Sequence, residues 1–199
     1  MIETYLRAPL QKRVIDPIAK CLCISPTILT LSAVAFALLG LGMFFLQATF
    51  LGLLFFALSG LLDVFDGSVA RLHHKTSALG TVLDLTLDRV VEVTMIFSLL
   101  QQGEGRGYYC IWMLSSMYVC VASFFSVTLY DACKKASPHN KSFAYSPGVI
   151  ERAETFIFFF LMILFKSQFV PLAIAYTILT LFTACVRLFE FKRSLLSAA

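Results

Sequence analysis

Four aspartates carry the strongest chemical signal in this chain: Asp63 and Asp66, three residues apart, then Asp84 and Asp88, four apart. Each spacing puts two carboxylates on one face of a helix. Both pairs sit at the ends of long apolar stretches, where an ionised side chain at mid-bilayer costs roughly 2.5–3.5 kcal/mol on insertion scales. A group of residues with a penalty on the order of 10 kcal/mol must do chemistry, hold a cation, or both. Four anionic oxygen donors repel one another unless a divalent ion lies between them. Hard oxygen ligands without thiolate or imidazole favour Mg2+ or Mn2+ over zinc. Mg2+ commonly completes its shell with waters and substrate phosphates, so such a site expects a phosphorylated ligand. Around the first pair, Gly67 allows close approach to the helix backbone, Ala70 keeps the next turn uncrowded, and Arg71 offers a forked donor for phosphate oxygens. Together these residues describe a pyrophosphate cradle.

The elements that hold this cluster must be membrane helices. The 199 residues are 59% hydrophobic and 14% charged, with a mean hydropathy of +0.83, well above the soluble range. Apolar segments of span length run over 27–47, 49–72, 80–101, 107–130, 149–165 and 169–191, which predicts six membrane helices. The segment 72–79 is a short polar hairpin, so the second and third helices should be antiparallel neighbours that bring both aspartate pairs to one depth. Ahead of the spans, Tyr5 to Ile15 mixes basic and apolar residues as a helix lying in the headgroup plane does. The start of the chain has no apolar run long enough for a signal-peptide core, so the first span reads as a retained helix.

This gives an all-α, multi-pass integral membrane protein with three parts. Residues 1–26 form an amphipathic cytoplasmic segment leading into the first span, 27–193 a six-helix catalytic domain, and 194–199 a short cytoplasmic tail. Basic residues set the orientation. Arg7, Lys12, Arg13, Lys20, Arg71, Lys75, Lys134, Lys135, Lys141, Arg152, Lys192 and Arg193 flank one side, and only Arg106 and Lys166 mark the other. Both termini and the aspartates should therefore face the cytoplasm. The net charge of +4 gives no case for nucleic acid. The six cysteines are scattered, with no C-x-x-C pair, and read as buried free thiols. The polar connector 136–147 is expected to be the mobile loop.

The full spacing from Asp63 to Asp88, Asp-x2-Asp-Gly-x2-Ala-Arg-x8-Gly-x3-Asp-x3-Asp, resembles the signature of the CDP-alcohol phosphotransferase family, with every fixed position present. Members move a phosphatidyl-type group from a CDP-linked lipid to an alcohol and release CMP. The resemblance implies that Asp63, Asp66 and Asp84 are metal ligands for Mg2+ or Mn2+. Asp88 would border the metals and act as the general base. Gly67, Ala70, Arg71 and Gly80 would belong to the CDP-lipid pocket. Thr27, Ile28, Leu29 and Thr30, which follow Pro26, are similar to the family's nucleotide-contacting segment, and Ser77 falls where members place a hydroxyl in the same pocket. The alternative for these positions is structural: Pro26 as a helix start and Thr30 bonding back within its own helix.

The stretch from Glu151 through Arg152 to Glu154 resembles the prokaryotic phosphatidylinositol-phosphate synthase branch, which implies that Arg152 and Arg187 grip a phosphorylated acceptor. That branch carries a Lys-Ala-Arg run where this chain has Leu129, Tyr130 and Asp131. The acceptor therefore stays open among inositol phosphate, glycerol phosphate and neutral alcohols such as inositol or serine. The family resemblance also implies CDP-diacylglycerol as donor, a homodimer, and residence in a prokaryotic inner membrane. Arg187 could instead snorkel to headgroups, and Arg152 with its neighbours could be a first-turn charge set. Glu92 is expected to extend the acceptor pocket or meet a neighbouring helix, with Arg89 on the wrong face to pair with it. His73 and His74 are read as solvated turn residues. Two rivals fit less well. An intramembrane prenyltransferase places its acidic motifs far apart in sequence, and a divalent-cation channel needs a polar trail through the outer half of the bilayer.

Overall fold

A computed structural model of the protein describes residues 15–21, 24–73, 77–135 and 152–197. Those residues are helical apart from short connections, and they fall into two compact units divided at Glu104 and Gly105. The expected headgroup-plane helix before Ile15 and the connector 136–147 lie outside the described residues, as do His74 and Glu151.

In the first unit, α1 spans Asp16–Cys21, α2 Pro26–Phe45, α3 Thr49–Leu72 and α4 Ala78–Leu100. Pro26 opens α2, where its missing N–H costs nothing because the first turn has no partner for it. The helix ends at Phe45, and two residues on, Gln47, with a φ of 60° in the left-handed region, turns the chain so that α3 starts at Thr49. Along α2 and α3 the backbones approach closely: a Cβ on Gly40 would stand 3.2 Å from the Gly52 carbonyl oxygen, and one on Gly52 would strike the Phe44 ring. Small residues at such a crossing let helices pack without a side chain between them. Aromatic pairs close the seam, Phe36 with Phe55 and Phe44 with Phe56, each with centroids 5.9 Å apart. The same α2 also packs on α4. At the other end Ala19, Leu29 and Val69 form a buried cluster backed by Leu62, Phe65 and Leu72, so α1 and α2 both brace α3 beside its aspartates. His73 is partly buried rather than free in solvent, its Nε2–H donating to the Ala19 carbonyl at 3.3 Å.

In the second unit, α5 spans Gly107–Lys135, α6 Arg152–Leu164 and α7 Phe169–Ser197, with a 3-10 turn at Lys166–Gln168 before α7. Contacts advance in the same direction along α5 and α7, so the two run parallel. Arg106 donates to the Lys166 carbonyl at 3.4 Å, Tyr109 meets the Phe169 ring edge-on at 6.1 Å, and Tyr130 meets Phe191 at 5.1 Å. The Arg106 guanidinium lies 4.3 Å from the Phe169 centroid, and burial holds its pKa below the usual arginine value. Tyr176 of α7 is fully buried against Phe158, Phe159 and Thr155 of α6.

Among the described residues, four stretches are long and apolar enough to cross a membrane: Pro26–Phe45, Thr49–Leu72, Gly107–Cys133 and Lys166–Leu196. The third and fifth expected spans differ for separate reasons. Charge sets α4 apart, because Asp84, Asp88, Arg89 and Glu92 all lie within it. Length sets α6 apart: its 13 described residues rise about 20 Å, against a hydrocarbon core of about 30 Å. The last helix also runs past Lys192 and Arg193 to Ser197, so residues 194–197 are helical. The cysteines are not uniformly buried. Cys110 is, whereas Cys133 and Cys185 are exposed. Both lie on exposed faces of long apolar helices, where a thiol behaves as one more small apolar group.

Candidate metal and phosphate site

Two helices bring the aspartates together. Asp63 and Asp66 stand on one face of α3, Asp84 on the first half of α4, and each offers a carboxylate oxygen within 4.8 Å of the others. Asp66 is buried, while Asp63 and Asp84 are partly buried. Such a set fits a hard divalent ion. Opposite donors around Mg2+ stand about 4.2 Å apart, twice its bond length, so small side-chain rotations would close the observed spread. The Asp84 Oδ1 atom is buried without a hydrogen-bond partner. A buried anionic oxygen left so costs on the order of 1–3 kcal/mol, a penalty that a bound cation removes.

Asp88 lies outside this trio. It is one turn further along α4 and 8% exposed, and Glu92, a further turn on, is 2% exposed. Asp84, Asp88 and Glu92 thus form a stripe of carboxylates of increasing burial. Arg89 does pair with Glu92, contrary to the expectation from sequence: Nη1 and Oε2 meet at 2.7 Å. The i,i+3 spacing places them on adjoining positions of one face, within reach of the long arginine stem. Beyond them, Thr94 and Ser98 donate to carbonyls of their own helix, at 2.7 and 3.0 Å.

Around the trio, Arg71 folds over Gly67. A Cβ at Gly67 would stand 3.3 Å from Arg71 Nη1, so glycine leaves the space the guanidinium occupies. Its Nη2 donates to Ser68 Oγ at 3.3 Å, and Ser68 donates in turn to the Val64 carbonyl at 3.2 Å. Sequence reasoning passed over Ser68; its signal was the i,i+3 spacing to Arg71. Ser77 caps α4, with Oγ accepting the Gly80 N–H at 3.0 Å. A Cβ on Gly80 would sit 3.0 Å from that oxygen, so this glycine keeps room for the cap.

The expected nucleotide segment divides. Thr27 and Ile28 are exposed, whereas Leu29 is buried in the cluster with Val69. Thr30 donates to the Pro26 carbonyl at 3.1 Å, so its hydroxyl bonds back within the helix. Ala70 is partly buried one turn from Asp66.

In the second unit, the Arg152 guanidinium lies 5.9 Å from the Phe156 ring centroid, one turn along α6. Arg187 of α7 reaches α5, where Nη1 donates to the Cys120 carbonyl at 2.9 Å and to Ser123 Oγ at 3.1 Å. This attachment was not legible in sequence, because it depends on which helix lies beside α7.

Residues 23–186 match the CDP-alcohol phosphatidyltransferase family. The chain is 28% identical over 190 residues to archaetidylinositol phosphate synthase of Pyrococcus horikoshii, covering 94% of this chain and 95% of that one. It is 33% identical over 95 residues to the enzyme of the same name from Methanothermobacter thermautotrophicus, covering 48% of this chain and 49% of that one. Among solved structures it resembles Mycobacterium tuberculosis phosphatidylinositol phosphate synthase with CDP-DAG bound, at a TM-score of 0.57 and 22% identity over 92% of each chain. With the complete aspartate signature in place, this chain belongs to the CDP-alcohol phosphatidyltransferase family.

Proposed function

We propose that this protein transfers the phosphatidyl group of CDP-diacylglycerol to a small phosphorylated alcohol, with inositol phosphate the first choice, and releases CMP. The convergence of Asp63, Asp66 and Asp84 carries the reading, since three clustered carboxylates next to an arginine suit a metal-bound pyrophosphate. The acceptor class is supported by the inositol phosphate synthases among its relatives and by Arg152 and Arg187 in the second unit.

Asp63, Asp66 and Asp84 would hold a divalent ion, Mg2+ or Mn2+, with Asp88 one turn along α4 from Asp84. When bound, that ion neutralises the pyrophosphate and the departing CMP. Arg71, placed over Gly67, donates to phosphate oxygens and orients the donor. Asp88 takes the proton of the acceptor hydroxyl as its oxygen bonds to the phosphatidyl phosphorus. The phosphoanhydride bond then breaks, and its electron pair leaves on CMP. Direct attack in a ternary complex suits a site with no activated Ser, Cys or His among the described residues. Six membrane spans with the aspartates toward the cytoplasm of a prokaryotic inner membrane, a headgroup-plane N-terminal helix and a homodimer complete the reading.

The test is radiolabelled CDP-diacylglycerol in membranes, offered inositol phosphate, glycerol phosphate, inositol and serine, with products separated by chromatography. Labelled phosphatidylinositol phosphate with inositol phosphate supports the reading. Product with free inositol or serine alone overturns the phosphorylated acceptor.

A further inference from the structure

Arg187 does not simply extend from α7 toward headgroups. Its Nη1 donates at 2.9 Å to the Cys120 carbonyl and at 3.1 Å to Ser123 Oγ. Ser123 Oγ donates its own proton to the same carbonyl at 2.7 Å, which turns a lone pair toward the guanidinium. The Phe124 ring lies 5.4 Å from Arg187 Cζ and limits its tilt. Ser123 is 7% exposed, so this triangle is enclosed between α5 and α7.

A guanidinium has five N–H groups in a rigid plane. Two of them, both on Nη1, are taken by α5. The Nε and Nη2 edge remains, and that edge has the fork geometry that receives two phosphate oxygens. We infer that Ser123 is a positioning residue for Arg187, deciding which edge of the guanidinium meets the acceptor's phosphate. The inference rests on the acceptor role proposed for Arg187. Ser123 touches the arginine rather than the acceptor, so its effect should appear in acceptor recognition and leave the donor lipid alone.

Threonine and valine at position 123 have nearly the same shape and differ by the hydroxyl, so comparing them cancels any steric strain. Steady-state kinetics would be measured for Ser123→Thr and Ser123→Val in membranes, with CDP-diacylglycerol as donor and inositol phosphate as the acceptor probe. Loss of one such hydrogen bond should raise the acceptor KM of the valine variant roughly three- to tenfold above the threonine variant. Both should keep the KM for CDP-diacylglycerol. In an Arg187→Ala background the Thr and Val variants should become indistinguishable. Equal acceptor KM values in the wild-type background, or a parallel rise for both substrates, would overturn the positioning role and leave Ser123 as helix packing. Should Arg187→Ala itself leave the acceptor KM unchanged, the acceptor grip fails instead, and the inference falls with it.

Discussion

Arg89 and Glu92 form an ion pair at 2.7 Å along α4, with the arginine side chain 39% exposed and the glutamate 3%. The exposed partner therefore neutralises the buried one. Removing Arg89 takes one counter-charge from a buried carboxylate on the stripe it shares with Asp84 and Asp88, whereas Glu92→Gln removes the charge that needs neutralising. Arg89→Ala should lower stability by about 1–3 kcal/mol and Glu92→Gln by less, with the double variant recovering part of the loss. Thermal unfolding in detergent reads all three, and an Arg89→Ala protein as stable as wild type would make the pair incidental.

Metal binding should depend on the trio before any turnover is considered. Mn2+ titrated into the purified protein and followed by electron paramagnetic resonance should show bound ion. Asp63→Asn, Asp66→Asn and Asp84→Asn should each weaken that binding by roughly tenfold or more. Activity should vanish in excess chelator and return with Mg2+ or Mn2+. CMP release that persists after verified metal removal would contradict the metal requirement.

Asp88 stands outside the trio and should behave differently from it. Asp88→Asn should keep CDP-diacylglycerol binding while cutting turnover by roughly 10²-fold or more, the scale of losing a general base. Asp66→Asn should lose both. Wild-type turnover in the Asp88 variant would move the proton acceptor elsewhere.

Ser77 has two possible employments, and one substitution series separates them. As the cap of α4 it should be replaceable by aspartate, which accepts the Gly80 N–H as well as serine does, while alanine costs about 1 kcal/mol of stability. As a nucleotide contact it should not, because a second negative charge beside the diphosphate repels it. Stability retained in Ser77→Asp with CDP-lipid affinity lost assigns both roles. Affinity retained as well leaves only the cap.

Arg152 should matter to the acceptor alone. A forked grip lost from a desolvated site costs about 1.5–3 kcal/mol, so Arg152→Ala should raise the acceptor KM roughly 10- to 100-fold and leave that for CDP-diacylglycerol little changed. Lysine should rescue partially, since it cannot form the fork. A kinetically silent Arg152→Ala would return this residue to the first-turn charge set.

The helices and the carboxylate-bearing faces of α3 and α4 were legible in the sequence. Apolar runs of span length must become helices in a bilayer, because only helices satisfy their backbone polar groups there, and α2, α3 and α5 follow those runs to within a few residues. Spacings of three and four made the aspartate faces legible, since helical geometry alone sets them. Tertiary structure decided what depends on neighbours and on side-chain reach. It joined Asp63 and Asp66 to Asp84 and left Asp88 a turn away. It also tied Arg187 to Ser123, 64 positions away in the chain. Spacing within one helix is fixed by the backbone repeat, but which atoms meet across two helices is settled only when their side chains pack.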